Sequence, residues 1–172
     1  MKNFNCLSLA IDIRTIFEKE NDMLNDLSFP FFYQFPKDCC QSASIFLGVC
    51  LKQVFPDAEV KIVRGTTRGD DKYHHYWVEV DKKIYDLTLD QFEKWLEPKF
   101  SGVSKPIYSE KIHPLAKYYF YKKKYNITDA FVDFITEYAN LNEVLNAFNY
   151  CYIELGKLGW FSDFKDLKRD LY

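Results

Sequence analysis

The sequence predicts an α+β protein in which a small antiparallel sheet packs on one principal helix. Three observations predict it. Apolar and polar residues alternate over 58–64, 74–80 and 83–88, the period of two expected of half-buried strands. Apolar residues recur at helical spacing before and after that block, over 5–27, 38–54, 128–139 and 142–155. Hydrophobic residues make up 48% of 172 at a net charge of −2, enough apolar matter for a core without disulfides or metals.

Each element has a local cause. Leu9, Ile13, Ile16, Phe17, Leu24 and Leu27 form the stripe of the first helix, with Arg14, Glu18, Lys19 and Asp22 facing mostly outward and Glu20 interrupting it. Residues 28–37 carry Pro30 and Pro36 among aromatics and read as a loop. A second helix starts at Asp38 and stops before Pro56, burying Ile45, Phe46, Val49, Cys50 and Leu51. Strand 58–64 is followed by the polar loop 65–71. Strands 74–80 and 83–88 make a hairpin about Asp81-Lys82, though no glycine sits in the turn. Thr88-x-x-Gln91 has capping-box form and predicts a short helix through Trp95. Residues 104–109 read as a further strand and 112–172 as mainly helical, with a break at Gly156/Gly159 and a charged tail. The length suits one domain over 1–172: a core at about 28–110 and a helical extension at about 111–172 packed on it.

Composition excludes several function classes. Charged residues at 28% with a near-neutral balance exclude a generally basic nucleic-acid binder. No apolar run approaches the ~20 residues that cross a bilayer, and residues 1–14 lack the apolar core and cleavage site of a signal peptide. A cytoplasmic protein is expected, with no nucleic-acid or membrane partner. Cys6, Cys39, Cys40, Cys50 and Cys151 are odd in number and unevenly spaced, which predicts free thiols in a reducing compartment.

Two segments carry chemistry. Asp38-Cys39-Cys40-Gln41 places a cysteine at a helix start, with Asp38 as N-cap and Cys40 in the first turn. The helix dipole and unpaired N–H groups favour thiolate there and can help hold an oxyanion. His74-His75-Tyr76-Trp77-Val78-Glu79-Val80 supplies a base. On a strand His75, Trp77 and Glu79 share one face; His74, Tyr76, Val78 and Val80 share the other, expected to face the core. A two-residue turn sets Trp77 opposite Asp86 and His75 opposite Thr88. Asp86 is then a diagonal neighbour of His75 and can orient its ring. Cys40, His75 and Asp86 thus form a nucleophile, base and orienter.

Those residues, in that chain order, resemble the papain-like superfamily and specifically its transglutaminase-like branch. His75-Tyr76-Trp77-Val78-Glu79-Val80 is similar to the branch's histidine motif. Asp86-Leu87-Thr88-Leu89-Asp90-Gln91-Phe92 looks like the aspartate motif of small uncharacterised bacterial members. Cys40 with Ser44 four residues on resembles the papain cysteine helix, and Gln34 lies where such peptidases carry an oxyanion-hole glutamine. The resemblance spans about 34–92, without the glycine that often precedes the cysteine. It implies a papain-like core and a cysteine hydrolase or acyltransferase acting on an amide, ester or thioester: a peptidase, deamidase or transglutaminase-like enzyme. Its substrate is a protein or peptide, or a small amide or amine. The alternatives are an inactive papain-like scaffold used for protein binding, or a bacterial effector or toxin with the same thiol chemistry.

Rival readings exist for the same residues. Cys39 is the competing nucleophile, and Cys6, Cys50 and Cys151 read as core. Trp77 reads as a core aromatic or a shield over the imidazole. His74 reads as structural or as pocket wall, and His113, before Pro114, as a surface or turn residue. Adjacent Cys39-Cys40 and His74-His75 pairs are poor geometry for tetrahedral zinc, so no metal or cofactor is expected. The run Lys117–Tyr125 reads as solvated lysines backed by packed aromatics, and Asn126 as a helix N-cap.

Overall fold

A computed structural model describes residues 4–68, 73–95, 107 and 109–161. It is α+β. Helices α1 (Cys6–Lys19), α2 (Asn21–Asp26) and α3 (Cys40–Val54) precede strands β1 (Val60–Thr66), β2 (His74–Val80) and β3 (Lys83–Tyr85). Strand β4 (Tyr121–Tyr125) then leads into α4 (Ile127–Glu137) and α5 (Leu141–Lys157). The four strands form one antiparallel sheet in the order β3-β2-β1-β4. Among the described residues no helix is long and apolar enough to cross a membrane.

The first helical stretch is two helices rather than one. Asn5 and Ser8 make a capping box that starts α1, and Glu20 closes α1 and opens α2 with φ −112° and ψ 18°. Arg14 does not face outward as its charge suggests. It is buried, stacks on the Phe35 ring at 4.5 Å and donates to both carboxylate oxygens of Asp90, at 3.0 and 2.8 Å, and to the Leu87 carbonyl at 2.5 Å. A bidentate pair of this kind fixes orientation as well as distance. It pins the segment after β3 to α1.

The aromatic loop 28–37 folds inward. Phe29 and Phe32 are buried and stacked at 4.6 Å, and Phe17 meets Phe32 edge-on at 4.9 Å. Each such ring contributes roughly 1.5–3 kcal/mol by leaving water, so the chain entering α3 is held firmly. That helix starts two residues later than expected. Asp38 sits in the left-handed region (φ 62°), Cys39 is the N-cap residue, and no side chain caps the helix.

The hairpin has the expected register: Val78 pairs Tyr85, Glu79 pairs Ile84 and Val80 pairs Lys83. Asp81 and Lys82 both adopt positive φ, 48° and 68°, which a two-residue turn with this twist demands even without glycine. The sheet is covered on both faces. Ile62, Val78 and Val80 join the main core with residues of α1, α3, α4 and α5. Val63, Trp77 and Ile84 on the opposite face pack with Leu89, Leu115 and Tyr119. His75 and Trp77 are therefore fully buried too, whereas His74, on the face expected to be core, is exposed.

Gly65 makes the second packing layer possible. A Cβ there would lie 2.6 Å from Cγ of Tyr119 and 2.8 Å from Cζ3 of Trp77. Two further expectations hold in outline and differ in detail. The described residues after 112 are mainly helical, as expected, but Tyr121–Tyr125 pairs with β1 as an edge strand whose lysines face solvent. The short helix expected through Trp95 is present, but Thr88 does not cap it. Its hydroxyl goes to Asp86, and Leu89–Trp95 form 3-10 turns. Asn126 does cap α4, accepting from the Asp129 N–H at 2.8 Å. The strand expected at 104–109 falls largely outside the described residues, as does the charged tail from residue 162.

Candidate active site

The site is built where the start of α3 meets β2 and the segment leaving β3. Extending the observed hairpin register by one pair sets Trp77 opposite Asp86, and the two strands thus bring Asp86 to His75. Nε2 of His75 donates to Oδ2 of Asp86 at 2.7 Å, with both side chains fully buried.

A third residue completes the group. His113 is buried, not on the surface, and its Nε2 lies 3.1 Å from the same Oδ2. The Leu115 N–H donates to Nδ1 of His113 at 3.1 Å, which fixes the tautomer with the proton on Nε2. Oδ1 of Asp86 accepts from the Thr88 N–H at 2.9 Å and the Thr88 hydroxyl at 3.3 Å. The carboxylate is thus held by four donors, and its orientation is determined.

The electrostatics follow. Burial alone would raise the Asp86 carboxyl, but the charge of His75 and the donated hydrogen bonds hold it well below the usual carboxylate range. Burial alone would disfavour a charged His75. The Asp86 carboxylate outweighs burial, the Cys40 thiol adds to it, and the imidazole is pushed up to about 10. His113 moves the other way: burial lowers it against the pull of Asp86, so it is the neutral partner. Phe92 stands edge-on to His75 at 4.7 Å, and Trp77 and Tyr119 lie at 6.1 Å. That aromatic wall keeps water from the ion pair.

Nδ1 of His75 is buried and has no hydrogen-bond partner. Cys40 acts on this ring electrostatically and is the cysteine that lines a cavity of about 480 Å³. Because α3 has no side-chain cap, the N–H groups of its first turn are not used by one. Cys39 is fully buried, and burial together with the neighbouring Cys40 pushes its thiol far above the ordinary value. Gln34 does not line the cavity; its Nε2 donates to Asp38 at 2.8 Å. Gln41 lines it one residue after Cys40, and Gln91 lines it with its amide engaged by the Thr88 carbonyl. Trp77 is core and stacks obliquely on His113 at 4.5 Å. His74 is on the cavity wall, 2.9 Å from the Thr66 hydroxyl.

His75, Asp86 and His113 also offer three potential metal-ligand atoms within 4.8 Å of one another. Those atoms are already joined as two donors on one acceptor, and none of the three residues lines the cavity. The group is self-consistent as a hydrogen-bond hub. A metal would have to displace both Nε2 protons.

Sequence reading missed His113, Arg14 and Gln41. The available signal for His113 is its rarity, one of three histidines in the chain, inside the short apolar run Ile112–Ala116. No known family model, curated protein or solved structure matches the chain.

Proposed function

We propose that this protein is a cysteine-dependent acyl-transfer enzyme with a papain-like, transglutaminase-like core. Cys40 is the nucleophile, His75 the acid and base, and Asp86 the orienter. The observation that carries this reading is the state of the His75 ring. Its Nε2 is locked to a buried carboxylate, its Nδ1 is unpartnered, and the Cys40 thiol acts on it from an uncapped helix tip.

The reaction follows from those positions. His75 takes the Cys40 proton as the sulfur attacks the carbonyl carbon of an amide, ester or thioester. A C–S bond forms and the carbonyl π pair moves to oxygen, stabilised by the N–H groups of the first turn of α3 and by the Gln41 amide. Collapse expels the leaving group, which takes the proton from His75. Acylation removes the thiolate charge that helps keep His75 protonated. The neutral ring is then the stronger base in the cycle's second half, where it deprotonates water or an amine. That acceptor displaces the thiolate. Asp86 and His113 hold the ring and its tautomer throughout. Water as acceptor gives hydrolysis or deamidation, and an amine gives transfer.

Iodoacetamide tests the assignment. Near pH ~6, Cys40 is expected to alkylate at least about tenfold faster than free cysteine, with the modified residue mapped by mass spectrometry. His75→Ala should remove the advantage. Equal rates would favour the inactive scaffold, and labelling at Cys39 would overturn the choice of nucleophile.

A further inference from the structure

The cavity beside Cys40 is lined by an arginine, Arg64, that makes no close ion pair among the described residues. Arg64 and Tyr76 face each other across β1 and β2, and both line the cavity with Cys40 and Gln41. Nε of Arg64 is buried and has no hydrogen-bond partner, and among the described residues Arg64 forms no salt bridge. Its surroundings are accounted for. The Tyr76 hydroxyl interacts with the guanidinium and Glu137 acts on it by its charge; Glu137 and Asp133 line a second, smaller cavity that Arg64 and Tyr76 also line. Burial pushes Tyr76 up to about 12, so the phenol keeps its proton and can donate. Of the other charged groups on the main cavity, Lys37 is cationic and Asp38 is engaged by Gln34.

Arg64 as a whole is half-buried, but its Nε–H is fully enclosed, and an enclosed donor without an acceptor is costly. The planar guanidinium fork suits a carboxylate, which can accept two N–H bonds at once. We propose that this cavity binds an acyl donor through a carboxylate on that donor, with Arg64 as the anion-binding group and the Tyr76 hydroxyl as a second donor. This rests on the acyl-transfer reading and adds the substrate's chemical class to it. Neutral donors of the same shape are poorer ligands, because they bring no negative charge to the guanidinium.

Protection of Cys40 is the test. Its alkylation by iodoacetamide is followed by mass spectrometry with glutarate or uncharged glutaramide, at fixed ionic strength set with chloride. Glutarate at tens of millimolar should slow alkylation at least about threefold, as a charge-assisted pair in a partly dry site implies, and glutaramide should not. Arg64→Met should abolish the difference between the two compounds and Arg64→Lys should keep part of it. Lys157→Met, which removes the same charge from the end of α5 outside the cavity, should keep all of it. Equal protection by the two compounds in the unaltered protein, or glutarate protection surviving in folded Arg64→Met, would overturn the proposal. Arg64→Met failing to fold leaves the comparison in the unaltered protein decisive. A slow but still glutarate-sensitive Cys40 would sink the acyl-transfer reading while sparing the anion site.

Discussion

Replacing Asp86 with asparagine removes one charge from a fully enclosed group and reverses its hydrogen-bond logic. If the amide oxygen keeps the Thr88 N–H at 2.9 Å, its NH2 is turned toward Nε2 of both His75 and His113. Donor then faces donor. His75 can answer only by giving up the Nε2 proton, which leaves burial to depress its basicity. The span from an ordinary imidazole value of 6.5 to about 10 corresponds to roughly 5 kcal/mol of preference for the charged ring. That is an upper figure, since truncated buried pairs cost about 3–5 kcal/mol in measured systems. A loss of about 3 kcal/mol at pH 6 is expected in denaturant unfolding followed by tryptophan fluorescence.

The pH course of the Asp86→Asn variant is the sharper signature. His75 is raised on folding, so its contribution is fully present below pH 6.5 and lost as pH climbs through about 10. The unaltered protein should lose stability over that interval, at up to about 1.4 kcal/mol per pH unit. Asp86→Asn should lack that slope. Equal stability at pH 6 with an equal slope would refute the ion-pair account of the site.

Two further substitutions probe what surrounds the pair. His113→Phe removes one donor from Asp86 and orphans the Leu115 N–H, and should cost about 1–3 kcal/mol in the same unfolding assay. His113 is lowered on folding, so the native protein loses its contribution as pH falls below 6.5; His113→Phe should flatten that acid limb. Gly65→Ala drives a methyl into Trp77 and Tyr119 and should cost about 1–3 kcal/mol. The near-ultraviolet circular dichroism of the aromatic layer should change with it. An unchanged spectrum and midpoint would show that those rings yield freely.

The sequence revealed most where structure is local. Period-two alternation and a two-residue connection bring Trp77 opposite Asp86, and the His75–Asp86 contact follows from counting along two strands. Contacts between distant segments left no such trace. His113 reaches Asp86 across 27 positions from a stretch without periodicity, and Arg14 reaches Asp90 across 76 positions from the polar side of a helix. Strand β4 lies in a stretch the sequence predicts as mainly helical, because Lys122-Lys123-Lys124 has no apolar alternation and its partner is supplied by β1. The observed α3 starts after the predicted one because Asp38, a favoured N-cap type, takes a left-handed conformation and is bonded to Gln34 instead.

The lysines of β4 have a consequence for how copies of this molecule meet. Three consecutive ammonium-bearing residues stand on the outermost strand, with Lys124 paired to Glu79 and Lys122 and Lys123 turned to solvent. Two molecules approaching rim to rim would bring like charges together before any backbone bond could form. Crowding is therefore opposed from lengthening the sheet into a ribbon, and dilution with salt-free buffer should keep the protein dispersed better than brine does.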